Sequence, residues 1–142
     1  MLKGLNPLLG PELLKILRAM GHGDEIAIVD GNYPADTDAK RLVRMDGHSA
    51  TAVLDAILSV MPLDEMVPEA VFRPAAYLDP KRVEPVFEEF TTLVKKWDPK
   101  RHITVLVGAD FYNRVKGSYA IVATSEPRLY GNIVLRKGVI HP

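Results

Sequence analysis

The sequence predicts a single α/β domain over residues 1–142, a layered sheet with helices on both faces, and three observations carry that expectation. Strand-like and helix-like segments alternate with short connections, the pattern of a sheet covered by the helices that link its strands. Ile26-Ala27-Ile28-Val29 is apolar without interruption, which suits a strand buried on both faces rather than one with a wet side. At 142 residues the chain is long enough to bury a core without disulfide or metal staples, and no linker, repeat or low-complexity stretch divides it.

Taken in order, Pro11 suits the first turn of a helix, and Leu13, Leu14, Ile16, Leu17 and Met20 recur at helical spacing until Gly21 stops it. The chain thus reaches Gly21-His22-Gly23, then the apolar strand closed by Asp30. Gly31 to Asp36 contains glycine and proline and is expected as a loop lining the same cleft as Asp30. Leu42 to Gly47 looks like a short strand into a turn, followed by a helix through Ala50, Val53, Leu54, Ile57 and Leu58 that is closed off before Pro62 and Pro68. Ala70-Val71-Phe72 is a strand, and Asp79-Pro80 is expected to open a long helix with Val83, Val86, Phe87, Phe90, Leu93 and Val94 on one face, closed by Trp97. Ile103 to Val107 reads as a strand by β-branching, Phe111 to Val115 as a short helix, and Tyr119 to Ala123 and Ile133 to Leu135 as the last strands.

Composition narrows the function. Lysine plus arginine equals aspartate plus glutamate at 18 each, so no net positive field exists to hold nucleic acid or an anionic membrane. The absence of cysteine removes thiolate metal sites and thiol nucleophiles. The first residues lack a signal peptide's apolar core, and no apolar run approaches the ~20 residues of a membrane span, so a cytoplasmic protein is expected. Phosphate loops, H-E-x-x-H and G-x-S-x-G are missing. His48, His102 and His141 share no metal-ligand spacing and read as structural; no metal or cofactor is expected.

Two places remain for chemistry. His22 stands between two glycines whose missing Cβ atoms free the turn to present the imidazole to a cleft, while Asp30 ends a core strand where ligands of α/β sheets gather. Each has an ordinary alternative, His22 as a solvated residue near a helix end and Asp30 as a turn-forming side chain. Tyr130-Gly131-Asn132 offers a phenol, an unhindered backbone and an amide, a hydrogen-bonding set suited to a polyhydroxylated ligand or simply a turn before the last strand.

Read together, Leu8-Leu9 through Pro11-Glu12-Leu13-Leu14-Lys15, Met20 to Ile26, Asp30 with Pro34-Ala35, Arg44 with Asp46-Gly47, and Tyr130-Gly131-Asn132-Ile133 with Lys137-Gly138-Val139 resemble the sugar mutarotases of the ribose pyranase and L-fucose mutarotase group. Gly23 and the Tyr-Gly-Asn form are similar to the fucose branch. The resemblance implies cofactor-free interconversion of the anomers of a free reducing monosaccharide, L-fucose or a related sugar such as ribose. His22 would be the general acid or proton donor, with Asp30, Tyr130, Gly131 and Asn132 binding the substrate. It also implies a ring-shaped homo-oligomer, a decamer being one candidate size, with Leu5, Leu8 and Leu9 packing on a neighbour. A non-catalytic sugar-binding or regulatory protein is the rival reading, and an aldose–ketose isomerase a weaker third. The motive for the sugar-binding reading is Gly108, which by the resemblance stands where the family carries a substrate-contacting arginine or histidine; Asp110, Arg114 and His102 are candidate substitutes. Residues 22 to 30, fully extended, would span roughly 26 to 30 Å, so either the Gly-His-Gly turn folds back or subunits share each site.

Overall fold

The computed structural model describes residues 1–142 and sets the uninterrupted apolar stretch at the centre of a six-stranded sheet. The strands are β1 (Glu25–Val29), β2 (Leu42–Met45), β3 (Val71–Pro74), β4 (Thr104–Leu106), β5 (Ala120–Thr124) and β6 (Ile133–Arg136), in the spatial order β2-β5-β1-β6-β3-β4. β1 pairs in parallel with β5 and antiparallel with β6. β6 is the one strand that runs against the rest, since it also pairs antiparallel with β3 while β2–β5 and β3–β4 are parallel. This reversal matters for the site: β6 begins beside the carboxyl end of β1 and ends beside its amino end, with Ile28 opposite Ile133 and Glu25 opposite Arg136.

Five helices cover the sheet: α1 (Pro11–Ala19), α2 (Ala35–Asp38), α3 (Ala50–Leu58), α4 (Pro85–Trp97) and α5 (Ala109–Gly117). Side chains of a strand point alternately to opposite faces. Ile26 and Ile28 therefore join the larger core with Leu13, Leu17, Leu54, Ile57, Phe87 and Phe90 of α1, α3 and α4. Ala27 and Val29 join the opposite core with Ala35, Phe111 and Val115 of α2 and α5. Both faces are dry, which is why no polar residue interrupts β1. Full burial of a side chain such as Phe111 contributes about 1.5–3 kcal/mol to each such layer. No helix is long and apolar enough to cross a membrane.

The differences from the expected elements have local causes. The segment after Asp30 is not loop throughout, because Ala35 to Asp38 closes one helical turn, α2. The long helix starts at Pro85, not at Asp79-Pro80: the Asp79 side chain accepts the Lys81 N–H and closes a turn, whereas Glu84 is extended and Pro85 occupies the first helical turn. Val83 consequently lies outside the helix and is exposed. Trp97 is only partly covered and donates its indole N–H to Asp55 at 2.7 Å, tying α4 to α3. Leu9 is buried in the chain's own core, while Leu5 and Leu8 pack against it and stay partly exposed.

Candidate active site

Asp30 leaves β1 buried and fully committed in geometry. Its Oδ1 accepts the Asn32 N–H at 2.9 Å and its Oδ2 accepts the Asn132 amide at 2.9 Å, while its own N–H donates to Asn132 Oδ1 at 2.8 Å. Asn132, itself buried, thus clamps Asp30 from the start of β6 and keeps one amide proton free. Of the two preceding residues, Tyr130 forms the wall. Tyr130 adopts φ 62, and a Cβ on Gly131 would come within 2.7 Å of Glu126 Cγ and 3.1 Å of the Arg128 carbonyl oxygen, so only glycine fits there.

Asp30, Tyr130 and Asn132 border a cavity of about 380 Å³ that is also lined by Asn32, Tyr33, Pro34, Asp38, Tyr112, Lys116 and Leu129, whereas Gly131 does not line it. The loop after Asp30 lines it as expected. Tyr33 stacks on Tyr112 with ring centroids 6.2 Å apart and donates its hydroxyl to Asp38 at 2.8 Å. Burial, then the Asp38 hydrogen bond and charge, raise the Tyr33 phenol above its ordinary range. Burial likewise raises Tyr112, with the Tyr130 and Asp30 charges adding to it. Both phenols stay protonated at neutral pH; Tyr33 already donates its hydroxyl to Asp38 and is left to accept, while Tyr112 can donate and accept, which suits sugar hydroxyls.

His22 sits at the other end of β1. Lys137 donates to the carbonyls of Leu17 and Met20, capping α1, and its carbonyl accepts the Gly23 N–H at 2.9 Å, so the turn is anchored to the end of β6. Gly23 adopts φ 84, which this turn requires. The imidazole is half-exposed, with Nε2 3.0 Å from Oδ1 of the buried Asp64. Burial alone would push the Asp64 carboxyl up. Hydrogen bonds from Arg136 Nε (2.8 Å), the Met66 N–H (3.1 Å) and His22 outweigh it and bring the group down from 3.8 to about 2. An ionised carboxylate only accepts, so Nε2 carries the proton and Nδ1 is the nitrogen left for chemistry. Behind this pair, Arg114 forks onto Glu25 at 3.0 and 2.6 Å.

Asp64 also sets a pH dependence. Its folded value lies below the ordinary one, so its stabilisation is complete above about pH 4 and is lost as pH falls toward 2. The shift corresponds to roughly 2 kcal/mol. Asp64→Asn is therefore expected to be less stable at pH 7 and to lose less on acidification than the native protein. Urea unfolding at pH 7 and pH 3 checks this, and parallel losses in the two proteins would contradict it.

The structure does not bring His22 to Asp30, Tyr130, Gly131 and Asn132 within one chain. They lie at opposite ends of β1, roughly 20 Å apart at ~3.3 Å per residue, and the anchored turn does not fold back.

A family model described as the RbsD / FucU transport protein family matches residues 3–140. This chain belongs to the RbsD / FucU family. The human protein named fucose mutarotase is 39% identical over 149 residues, covering 98% of this chain and 94% of that one. An L-fucose mutarotase of Haemophilus influenzae is 40% identical over 143 residues, covering 98% and 97%. The crystal structure of the fucose mutarotase from Streptococcus pneumoniae in complex with L-fucose, 40% identical, aligns with a TM-score of 0.90 over 99% of this chain and 100% of that chain.

Within this RbsD / FucU chain, Gly108 has a backbone reason. It caps α5 with φ 55 and ψ −125, a conformation strained for any residue with a side chain, so an arginine placed there would distort the turn. Within one chain none of the three suggested substitutes lines the cavity: Arg114 is bound to Glu25, and Asp110 and His102 are exposed elsewhere. Sequence reading missed Asp64, Arg136, Tyr112 and Lys116. Only the last two carried a signal, since they are four residues apart and share a helix face.

Proposed function

We propose that this chain is a cofactor-independent mutarotase that interconverts the anomers of a free reducing monosaccharide, with L-fucose or a related sugar such as D-ribose as substrate. The observation that carries the reading is the full-length similarity to proteins named L-fucose mutarotase. The side chains supply the chemistry. Ring opening breaks the bond from C1 to the ring oxygen, which gains a proton, while the anomeric hydroxyl loses its proton and becomes the carbonyl. Rotation about C1–C2 presents the other carbonyl face, and re-addition of the hydroxyl reverses both transfers to give the opposite anomer. Histidine suits such two-way transfer near neutrality. His22 acts through Nδ1, with Asp64 fixing the ring and its tautomer. Asp30, Tyr130, the Gly131 backbone and Asn132 hold the sugar through its hydroxyls, including the open-chain form.

Because His22 and the cavity lie at opposite ends of β1, this reading assigns each complete site to two subunits of a ring-shaped homo-oligomer, a decamer being one candidate size. It places the protein in the cytoplasm. The rival, a sugar binder without chemistry, makes a different prediction for anomeric exchange. Exchange NMR on the anomeric protons of L-fucose, D-ribose and D-glucose is expected to show protein-dependent acceleration for L-fucose or D-ribose. Binding of a sugar with no acceleration for any of the three would favour the rival and overturn the enzyme.

A further inference from the structure

We propose that Lys116 is the cationic hydrogen-bond donor of the sugar cavity and a determinant of which neutral monosaccharides it prefers. The inference rests on the reading of that cavity as the sugar site. Tyr112 and Lys116 are one turn apart on α5, and helical side chains lean toward the amino end, so Lys116 leans along the face that carries Tyr112. Both line the cavity, whereas Arg114 between them turns away to Glu25 and stacks over Phe72 at 3.6 Å.

The donor inventory gives Lys116 its role. The cavity has two carboxylates, Asp30 and Asp38, which only accept, the Tyr33 hydroxyl is already spent on Asp38, and the Tyr112 and Tyr130 phenols and the second Asn132 amide proton are its neutral donors. Lys116 is its one cationic side chain and makes no hydrogen bond or ion pair within the chain. Other cations nearby are committed: Lys40 to the Gly117 carbonyl, and Arg128 to Glu89 and Glu126. One cation against two carboxylates leaves the cavity net negative, which disfavours a sugar acid or sugar phosphate and favours a neutral sugar with a hydroxyl oxygen presented to the amine. The ordinary alternative is a solvated lysine that complements the carbonyl end of α5.

Binding separates the two, and it needs no catalysis. Dissociation constants for L-fucose, D-ribose and their mono-deoxy analogues are measured calorimetrically on the intact protein, Lys116→Met and Lys116→Arg, with thermal melting alongside. Lys116→Met is expected to weaken the preferred sugar about ten- to a hundred-fold with an unchanged melting temperature, and Lys116→Arg to recover most of the loss. One deoxy analogue should bind Lys116→Met and the native protein equally, because the hydroxyl it lacks is the one Lys116 reads. Native affinity in Lys116→Met, or an equal loss for every analogue, would overturn the proposal, as would native protein that binds none of these sugars. Binding that depends on Lys116 without anomeric exchange would support it while removing the mutarotase reading.

Discussion

His22→Ala is expected to slow anomeric exchange by about 10²–10⁴-fold, the usual worth of a positioned general acid or base. The same substitution should leave the fold intact. The ring is half-exposed and makes one hydrogen bond, to Asp64, which keeps Arg136 and the Met66 N–H when the imidazole is gone. The turn is built by the Gly21 N–H donating to the Asp24 carboxylate and the Gly23 N–H to the Lys137 carbonyl, and neither contact involves the ring. Exchange spectroscopy beside circular dichroism measures both halves of this expectation. A native exchange rate in a natively folded variant would remove His22 from the mechanism and leave the exposed Nδ1 without a role.

The parts of this molecule that were legible in its sequence are those written in local pattern. β1 announced itself because a strand dry on both faces must be apolar at every position, and α1 and α3 because their apolar residues recur with the helical period. Local signals failed where two of them competed. Asp79-Pro80 is the better helix opening by residue type, since aspartate caps helices and glutamate does not, but the Asx turn at Asp79 spends that carboxylate on Lys81 and the helix opens at Pro85. The single turn of α2 was hidden by the Gly31 and Pro34 that flank it. The site divides in the same way. Asp30 and Asn132 are identifiable from the ends of their strands, but their mutual clamp exists because β6 runs antiparallel to β1. That reversal also carries Arg136 to the His22 end, where it holds Asp64, a residue 42 positions from His22 with no motif to mark it. Gly108 shows the same limit: residue type does not reveal that it caps α5 with positive φ, and the one cationic side chain lining the cavity, Lys116, stands eight residues later on that helix.

Mixed assemblies of two inactive variants should recover activity. Asp30→Asn turns one of two accepting oxygens into a donor, so either the Asn132 amide or the Asn32 N–H meets another donor, and the sugar cavity loses its central carboxylate. His22→Ala leaves that cavity untouched, because the two positions lie at opposite ends of β1. Each variant assembled alone is therefore expected to be inactive for a different reason. If every site takes its histidine from one subunit and its cavity from the next, subunits dissociated, mixed in equal amounts and reassembled at random place an intact histidine against an intact cavity in about one quarter of the sites. The expected exchange rate is then about one quarter of native, against none for either parent. A site contained within one chain predicts no recovery at any mixing ratio, since every chain in the mixture carries one lesion. Exchange NMR on the mixture, with native gel electrophoresis of charge-tagged subunits to establish that mixing took place, distinguishes the outcomes. Complete mixing without activity would overturn the site shared between subunits.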